Sequence, residues 1–440
     1  MVYRNSENLT LCTRICIVSL LFCTGFSTEE RSAFNSDRRR VEAPLIKSSD
    51  LDPSAAVFSV DSYGAKGNGV SDDSQAFLAA WNAACTSSSD SIFLVPHGNS
   101  YLVKPISFNG PCNTGGLTAQ ISGRIVAPAD PCNWNPEDRT IWLQFSKVQG
   151  LTIHGGGIID GSGEKWWAGS CSRDQNKVCL SVPFAFVVNS SSNVHLRDLT
   201  FQNSQKFHVV ISLSKHVEVE NLQIVAPGDS PNTDGIHIFT SEHVMIRNCT
   251  IATGDDCVSI IAQSSHIQVN DIICGPGHGI SIGSLGKYNA TDTVSDVVVN
   301  RASLSGTQNG LRIKTWQGGS GYAQGIIFQH VKMINVSNPI IIDQYYCAGS
   351  SRCNQPAPCN NQTSAVQVNN VTYTGITGTS ATQEAIKLAC SATVPCTNIV
   401  LEDISLQLNN GDTPSSLSAN VQGSSTGQVI PPVHFSSPSL

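Results

Sequence analysis

Asn193-Val-His-Leu-Arg-Asp-Leu-Thr-Phe201 decides the fold, because it returns. It comes back as His216-Val-Glu-Val-Glu-Asn-Leu-Gln-Ile224, His243-Val-Met-Ile-Arg-Asn-Cys-Thr-Ile251 and His266-Ile-Gln-Val-Asn-Asp-Ile-Ile-Cys274. Looser copies begin at Asp296, Gly325, Ala365 and Asn398. Each unit alternates apolar and polar residues and is rich in β-branched side chains, the pattern of a strand with one buried face. The alternation breaks at the sixth position, which marks a corner. Asp198, Asn221, Asn248, Asp271, Asn370 and Asp403 are read as the corner residues. Asn and Asp tolerate the left-handed backbone that a sharp bend needs. Repeated strand-corner-strand units of this length predict an all-β chain, a single right-handed parallel β-helix with rungs ~4.8 Å apart. An Asn ladder inside the corner is expected, which makes the sequon residues Asn248 and Asn370 structural. A propeller or sandwich fits less well, since Asn-Gly and Asp-Gly fall once per rung and not between paired strands.

The ends of a solenoid are open sheet edges and need covers. Asp72 to Cys85 carries helical spacing at Ala76, Phe77, Ala80, Trp81 and Ala84, and predicts an amphipathic N-terminal capping α-helix. The expected organisation is an export signal over residues 1–27, an arm or pro-segment over 28–55, the β-helix over 56–408, and a Ser/Pro-rich loose tail over 409–440. The signal reading rests on Ile15 to Phe26, an apolar run too short to span a bilayer.

Only 13% of the 440 residues are charged and the net charge is −7. That balance argues against a nucleic-acid surface, which needs clustered Lys and Arg. No second long apolar run suggests a membrane span. Sixteen cysteines, thirteen after the leader, point to disulfides in an exported protein, with Cys171/Cys179 and Cys390/Cys396 close enough for local bridges. An odd number leaves at least one thiol free. Sequons stand at Asn189, Asn248, Asn289, Asn335, Asn361 and Asn370.

Four motifs interrupt the repeat: Asn232-Thr-Asp234-Gly235, Gly254-Asp255-Asp256, Gly277-His278-Gly279 and Arg312-Ile-Lys314. Asp234, Asp256 and His278 each precede a strand and are 22 residues apart, with Asn309 next in the series. The coil therefore stacks them in one column. With Ile236 and Ile238 pointing inward, His237 points out, as do Ser259, Ser281, Arg312 and Lys314. Crowded carboxylates cannot all ionise cheaply, so one is held protonated while another stays a base. That is the equipment of glycoside hydrolysis: an acid protonates the leaving oxygen and a carboxylate activates water. Asp255, offset by one residue, suits the proton donor. Asp234 and Asp256 can share a water. Arg312 and Lys314 form an anion site suited to a sugar acid. Taken singly, an Asp-Gly is a turn, an Asp-Asp a solvated corner or calcium site, and Arg312 and Lys314 a solubilised face. Their coincidence on neighbouring rungs of one face points to a site.

In this order and spacing the four motifs resemble those of the polygalacturonases of plants and microbes (pectinases, glycoside hydrolase family 28). The similarity is greatest to the plant branch. It runs from about Phe58 to about Leu406 and includes Trp166-Trp167-Ala-Gly-Ser-Cys171 and Ile-Ile-Ile-Asp-Gln-Tyr-Tyr-Cys347. The resemblance implies hydrolysis of α-1,4-linked galacturonic acid in pectin, with inversion and without a metal or other cofactor. It implies Asp255 as general acid, Asp234 and Asp256 on the water, and His278 supporting the acid. It implies Arg312, Lys314, Asn232 and Tyr346 against the substrate, and a Cys257–Cys274 bridge. The expected setting is extracellular, in the cell wall, as a monomer. Internal cutting is expected, on the Gln317-Gly-Gly-Ser-Gly321 loop, with an exo-acting enzyme as the alternative. A lyase-like enzyme or a non-catalytic binding β-helix are the further alternatives. A lyase would give an ultraviolet-absorbing product, and an inactive relative would be expected to lack Asp255 or Asp256.

Overall fold

The alternation read from the repeat is the burial pattern of the folded chain. In Ser192–Arg197, Val194 and Leu196 are buried while Asn193 and His195 are exposed. A computed structural model describes residues 55–170, 181–347 and 362–436. The expected signal and residues 28–54 of the arm, the Cys171/Cys179 pair and the sequon at Asn361 lie outside the described residues.

The architecture is the expected right-handed parallel β-helix. One face, the front sheet, has eleven strands, from Ile106–Asn109 through Ile236–Phe239, Val258–Ile260, Ile280–Leu285 and Asn309–Thr315 to Ser415–Ala419. Each pairs in parallel with the next rung. Ile236 lies beside Val258, Val258 beside Ile280, and Ile280 beside Leu311. The other faces form a larger sheet in which the repeat units stack in register, Val194 on Val217 on Val244 on Ile267. The column of inward Val, Ile and Leu between the sheets is the core, and it is nearly free of solvent.

The corners are left-handed, as the sequence requires. Asp198, Asn221, Asn248 and Asp271 have φ of 54°, 55°, 53° and 56°. Asn221 Nδ2 donates to Asp198 Oδ1 at 2.9 Å and Asn248 Nδ2 to Asn221 Oδ1 at 2.6 Å. This ladder runs along the exposed outer side of the corner, not inside it as expected. The small polar side chains leave the interior to the apolar stack and hydrogen-bond to one another outside it.

Asn370 is a correction. It is left-handed, with φ 52°, but stands in a second column, beside Asn398 and one residue beyond the Gln324–Asn369 pair. That column contains Asn193, His216, His243 and His266, the first residues of the repeat. The unit therefore begins at Asn370 and not at Ala365. The recurring histidines thus occupy left-handed backbone sites. The His216 ring also stacks on His243 at 4.8 Å, and the His266 ring lies tilted 4.6 Å from His243.

The capping helix, α1, spans Ser74–Thr86 and buries the apolar positions expected of it. Trp81 lies 5.3 Å from both Phe108 and Phe145, closing the first rungs with an aromatic plug. Cys85–Cys112 ties α1 to the solenoid. At the other end the structure departs from the expected loose tail. Ser415–Ala419 pairs with Glu384–Ala389, and Val421–Ile430 pairs with Cys396–Leu408. Parallel ladder bonds need backbone, not hydrophobicity, so the edge of one rung templates a polar one. Ser416 and Ser418 donate to the carbonyls of Pro432 and His434, which fold across it. A polar last rung is a cap.

Among the described residues the further bridges are Cys257–Cys274 and Cys390–Cys396. The Cys249 thiol is free and buried, and burial pushes its pKa up to about 12. No helix among the described residues is long and apolar enough to cross a membrane.

A third left-handed position is occupied by Leu213, with φ 51° and 54% exposure. Leucine resists this conformation and leaves more than half of its surface in water here. Leu213→Asn should therefore raise stability by about 1 kcal/mol, read as a higher urea midpoint at unchanged slope.

Candidate active site

The front sheet brings the motifs together by backbone pairing. His208 N donates to Asp234 O at 2.9 Å, Gly235 N to Asp256 O at 2.9 Å, and Cys257 N to Gly279 O at 2.8 Å. Asp234, Asp256 and His278 thus stand on consecutive rungs just before their strands, and Asn309 opens the next strand in the same column. Two glycines permit this. Gly279 has φ 85°, and a Cβ there would meet Asn309 O at 2.1 Å. Gly277 has φ 148°, and its Cβ would meet Asp255 O at 2.7 Å. The Cys257–Cys274 bridge fixes the rung that carries both Asp255 and Asp256.

The out-facing side chains of this sheet are themselves largely buried, including His237, Ser259, Ser281, Arg312 and Lys314. Asp256 is 1% exposed and fully engaged. Arg312 Nη2 and Ser281 Oγ donate to its Oδ1, each at 2.7 Å, and Lys314 Nζ to its Oδ2 at 2.9 Å. Arg312 Nε also donates to Ser281 Oγ at 2.9 Å. The two cations expected to await a substrate carboxylate thus reach back two rungs and pair with Asp256. Burial works against the Asp256 anion, but Lys314 and Arg312 outweigh it and hold the pKa at about 2.

Asp234 has a parallel but softer arrangement. Ser259 Oγ donates to Asp234 Oδ2 at 2.7 Å and lies 2.6 Å from His237 Nδ1. Among the described residues no Lys or Arg pairs with it. Burial, then the charge of Asp255, raises its pKa above the ordinary carboxylate value. Two equivalent carboxylates, each capped by a serine one rung on, are therefore driven apart: Lys314 and Arg312 pair with Asp256, whereas burial and the charge of Asp255 act on Asp234.

Asp255 is aimed elsewhere. Its Oδ1 accepts from the Asp256 backbone N–H and faces His278 Nδ1, both at 2.9 Å. Its Oδ2 faces Asn232 Nδ2 at 3.4 Å, toward the open cleft. Burial opposes charge on His278, but hydrogen bonding to Asp255 and its field outweigh that and raise the imidazole pKa. Tyr346 lies beside the cations, with Lys314 Nζ 5.4 Å from its ring and its edge against Trp316. Tyr345 turns away, its hydroxyl donating to Cys390 O at 3.2 Å. All eight expected site residues are thus gathered at one place.

Among the described residues, Asp255, Asp256 and His278 form the one cluster of His, Cys, Asp and Glu that could hold a cation, with ligand atoms within 4.8 Å of one another. A metal there would compete with Arg312 and Lys314 for Asp256, and with His278 for Asp255. That donor set fits a proton site better than a metal site.

Sequence reasoning passed over His208. It is fully buried, and burial pushes its pKa down to about 4. Its Nδ1 lies 3.0 Å from Asp234 O, and Ser204 N donates to its Nε2 at 3.4 Å. A neutral imidazole thus pins the backbone of Asp234. The sign that could have found it is a histidine beside the inward position of a strand one rung before Asp234.

The profile of glycosyl hydrolases family 28 matches residues 85–426. A probable polygalacturonase of Arabidopsis thaliana is 44% identical over 430 residues, covering 98% of this chain and 94% of its own. A polygalacturonase of Malus domestica is 48% identical over 378 residues, 86% of this chain and 79% of its own. Among solved structures, the endo-xylogalacturonan hydrolase of Aspergillus tubingensis matches at TM-score 0.70 and 23% identity, covering 84% of this chain and 100% of that one. The polygalacturonase of Erwinia carotovora matches at TM-score 0.67 and 22% identity, over 88% and 100%. At that identity the two structures speak for the fold.

Asp256→Asn should leave two buried cations without a counter-charge and lower stability by about 3–5 kcal/mol near neutral pH. The native Asp256 carboxyl is held at about 2, below the 3.8 of a free aspartate. Its contribution is therefore complete above that ordinary value and disappears as pH falls through the depressed one. The gap between native and variant melting curves should narrow only below pH ~4.

Proposed function

The chain belongs to glycosyl hydrolases family 28, and from that premise we propose that it hydrolyses α-1,4-galacturonosyl linkages in pectin with Asp255 as the proton donor. The observation that carries the mechanism is the electrostatic separation of Asp234 from Asp256 on neighbouring rungs. Asp256 is anionic at every working pH and is a weak base, so it orients the water. Asp234 is the more basic of the two capped carboxylates, which suits it to take the water's proton. Asp255 presents Oδ2 to the cleft, where a protonated carboxyl can reach the glycosidic oxygen. After transfer, its new charge is met by the Asp256 N–H and by His278, whose raised basicity keeps a proton beside it for the next turnover. Water attack on the face opposite the leaving group gives inversion.

Asn232 and Tyr346 flank the site on either side and suit contacts to the sugar. Arg312 and Lys314 bind a substrate carboxylate through the hydrogens that Asp256 leaves free. The three bridges among the described residues suit an oxidising, extracellular setting, in keeping with a cell-wall substrate. The proposal includes internal cutting of the polymer.

Asp255→Asn should lower kcat on polygalacturonate by about 10²–10⁴-fold with a folded structure retained. The native enzyme should release reducing ends without an ultraviolet-absorbing unsaturated product, and viscosity should fall early relative to those ends. An absorbing product would sink the hydrolase reading, and late viscosity loss would sink internal cutting alone.

The pH profile carries its own test. Asp234 must be ionised, so the acid limb of kcat/KM should lie above the ordinary 3.8 of aspartate. His278 serves protonated and its pKa is raised, so the alkaline limb should lie above 6.5 and move to lower pH in His278→Gln.

A further inference from the structure

Arg312 and Lys314 are engaged with Asp256, yet the cleft holds another cation that is not. Lys206 sits on the rung before Asp234, so the aspartates lie between it and Arg312. Its ammonium lies 5.1 Å from the Phe184 ring and 4.9 Å from the Phe207 ring. Those rings stack on each other at 5.0 Å, and Phe207 stacks on His237 at 4.3 Å. One aromatic ring per rung thus leads to Ser259 and Asp234. Lys206 is half-buried. Burial lowers its pKa, while the charges of Asp234 and Asp255 act the other way, so it belongs to the field of the site. The described structure gives it no carboxylate within salt-bridge reach, whereas Arg312 and Lys314 both have one. Lys287, set over Tyr288 and Trp316, is the other charge that acts on it.

A cation drawn partly out of water and denied an ion pair favours an anion that brings its own charge. The aromatic rings favour the ammonium without neutralising it. In a cleft for a polymer with one carboxylate on every unit, this is a second carboxylate seat. We propose that Lys206, held on Phe184 and Phe207, binds the carboxylate of a galacturonate unit on the far side of the scissile bond from Arg312 and Lys314. Units on both sides of the bond are then gripped by charge. Free-acid stretches of pectin are preferred over methyl-esterified ones at this position.

The inference rests on the pectin-hydrolase reading, and the test separates the two. The full-length chain carrying Asp255→Asn binds without turnover. Its affinity for de-esterified oligogalacturonates and for their methyl esters is measured by calorimetry, alone and combined with Lys206→Met or Lys206→Arg. Loss of one charge-assisted hydrogen bond weakens binding roughly tenfold. Lys206→Met should therefore bind the free acid about tenfold more weakly, bind the ester as its parent does, and show a flatter salt dependence. Lys206→Arg should keep most of the free-acid affinity. Should the Met variant fail to fold, Lys206→Gln replaces it with the same two outcomes. A folded variant with the parent's free-acid affinity, or one equally weakened for acid and ester, overturns the Lys206 seat while leaving the hydrolase reading intact. A native chain that neither cuts nor binds polygalacturonate overturns both.

Discussion

Three acidic side chains share the cleft because parallel strands pair in register from rung to rung, and two cations make that tolerable. Backbone hydrogen bonds between successive rungs fix Asp234, Asp256 and His278 in a column. Neighbouring rungs lie ~4.8 Å apart, close enough for buried like charges to repel strongly. Arg312 and Lys314 resolve that repulsion by pairing with one of the three. What remains is an anion that does not titrate in the working range, a buried carboxyl with raised basicity, and an acid turned to the open side. The chemistry follows from that asymmetry. Without the cations the column would be three competing acids, and without the ladder the cations would have nothing fixed to pair with.

Both halves of the arrangement use the same device. Ser259 and Ser281 each sit one rung beyond the carboxylate they cap, and each is backed by a nitrogen-bearing side chain. Behind Ser281 stands an arginine, which is always charged, and behind Ser259 a histidine. A repeat fold can thus duplicate a site and then differentiate the copies by the two cations that reach only one of them. The glycines of the motifs serve the same end, since any side chain at Gly279 would collide with the next rung and break the column.

Much of this was legible in the chain itself. Periodicity gave the strands, and Asn or Asp at the break in alternation marked corners that do turn left-handed at Asp198, Asn221, Asn248 and Asp271. The 22-residue spacing placed Asp234, Asp256 and His278 on one another correctly. The errors have physical causes. The sequence alone puts Asn370 in the wrong corner because Asn serves both left-handed columns. The polar final rung was missed because ladder bonds leave no mark on hydropathy. The pairing of Arg312 and Lys314 with Asp256 was missed because periodicity fixes where a side chain leaves the backbone, not how far a long flexible one reaches. His208 and Lys206 lie outside the four motifs, and only their surroundings identify them.

The account stands on two equivalent aspartates being unequal, and carboxyl titration followed by NMR on aspartate-labelled protein measures that directly. The result expected is one carboxyl that stays ionised to about 2, assigned by its loss in Asp256→Asn, beside a second, Asp234, that takes up its proton above the ordinary 3.8. Asp234 and Asp256 titrating together at the value of a free aspartate would contradict it.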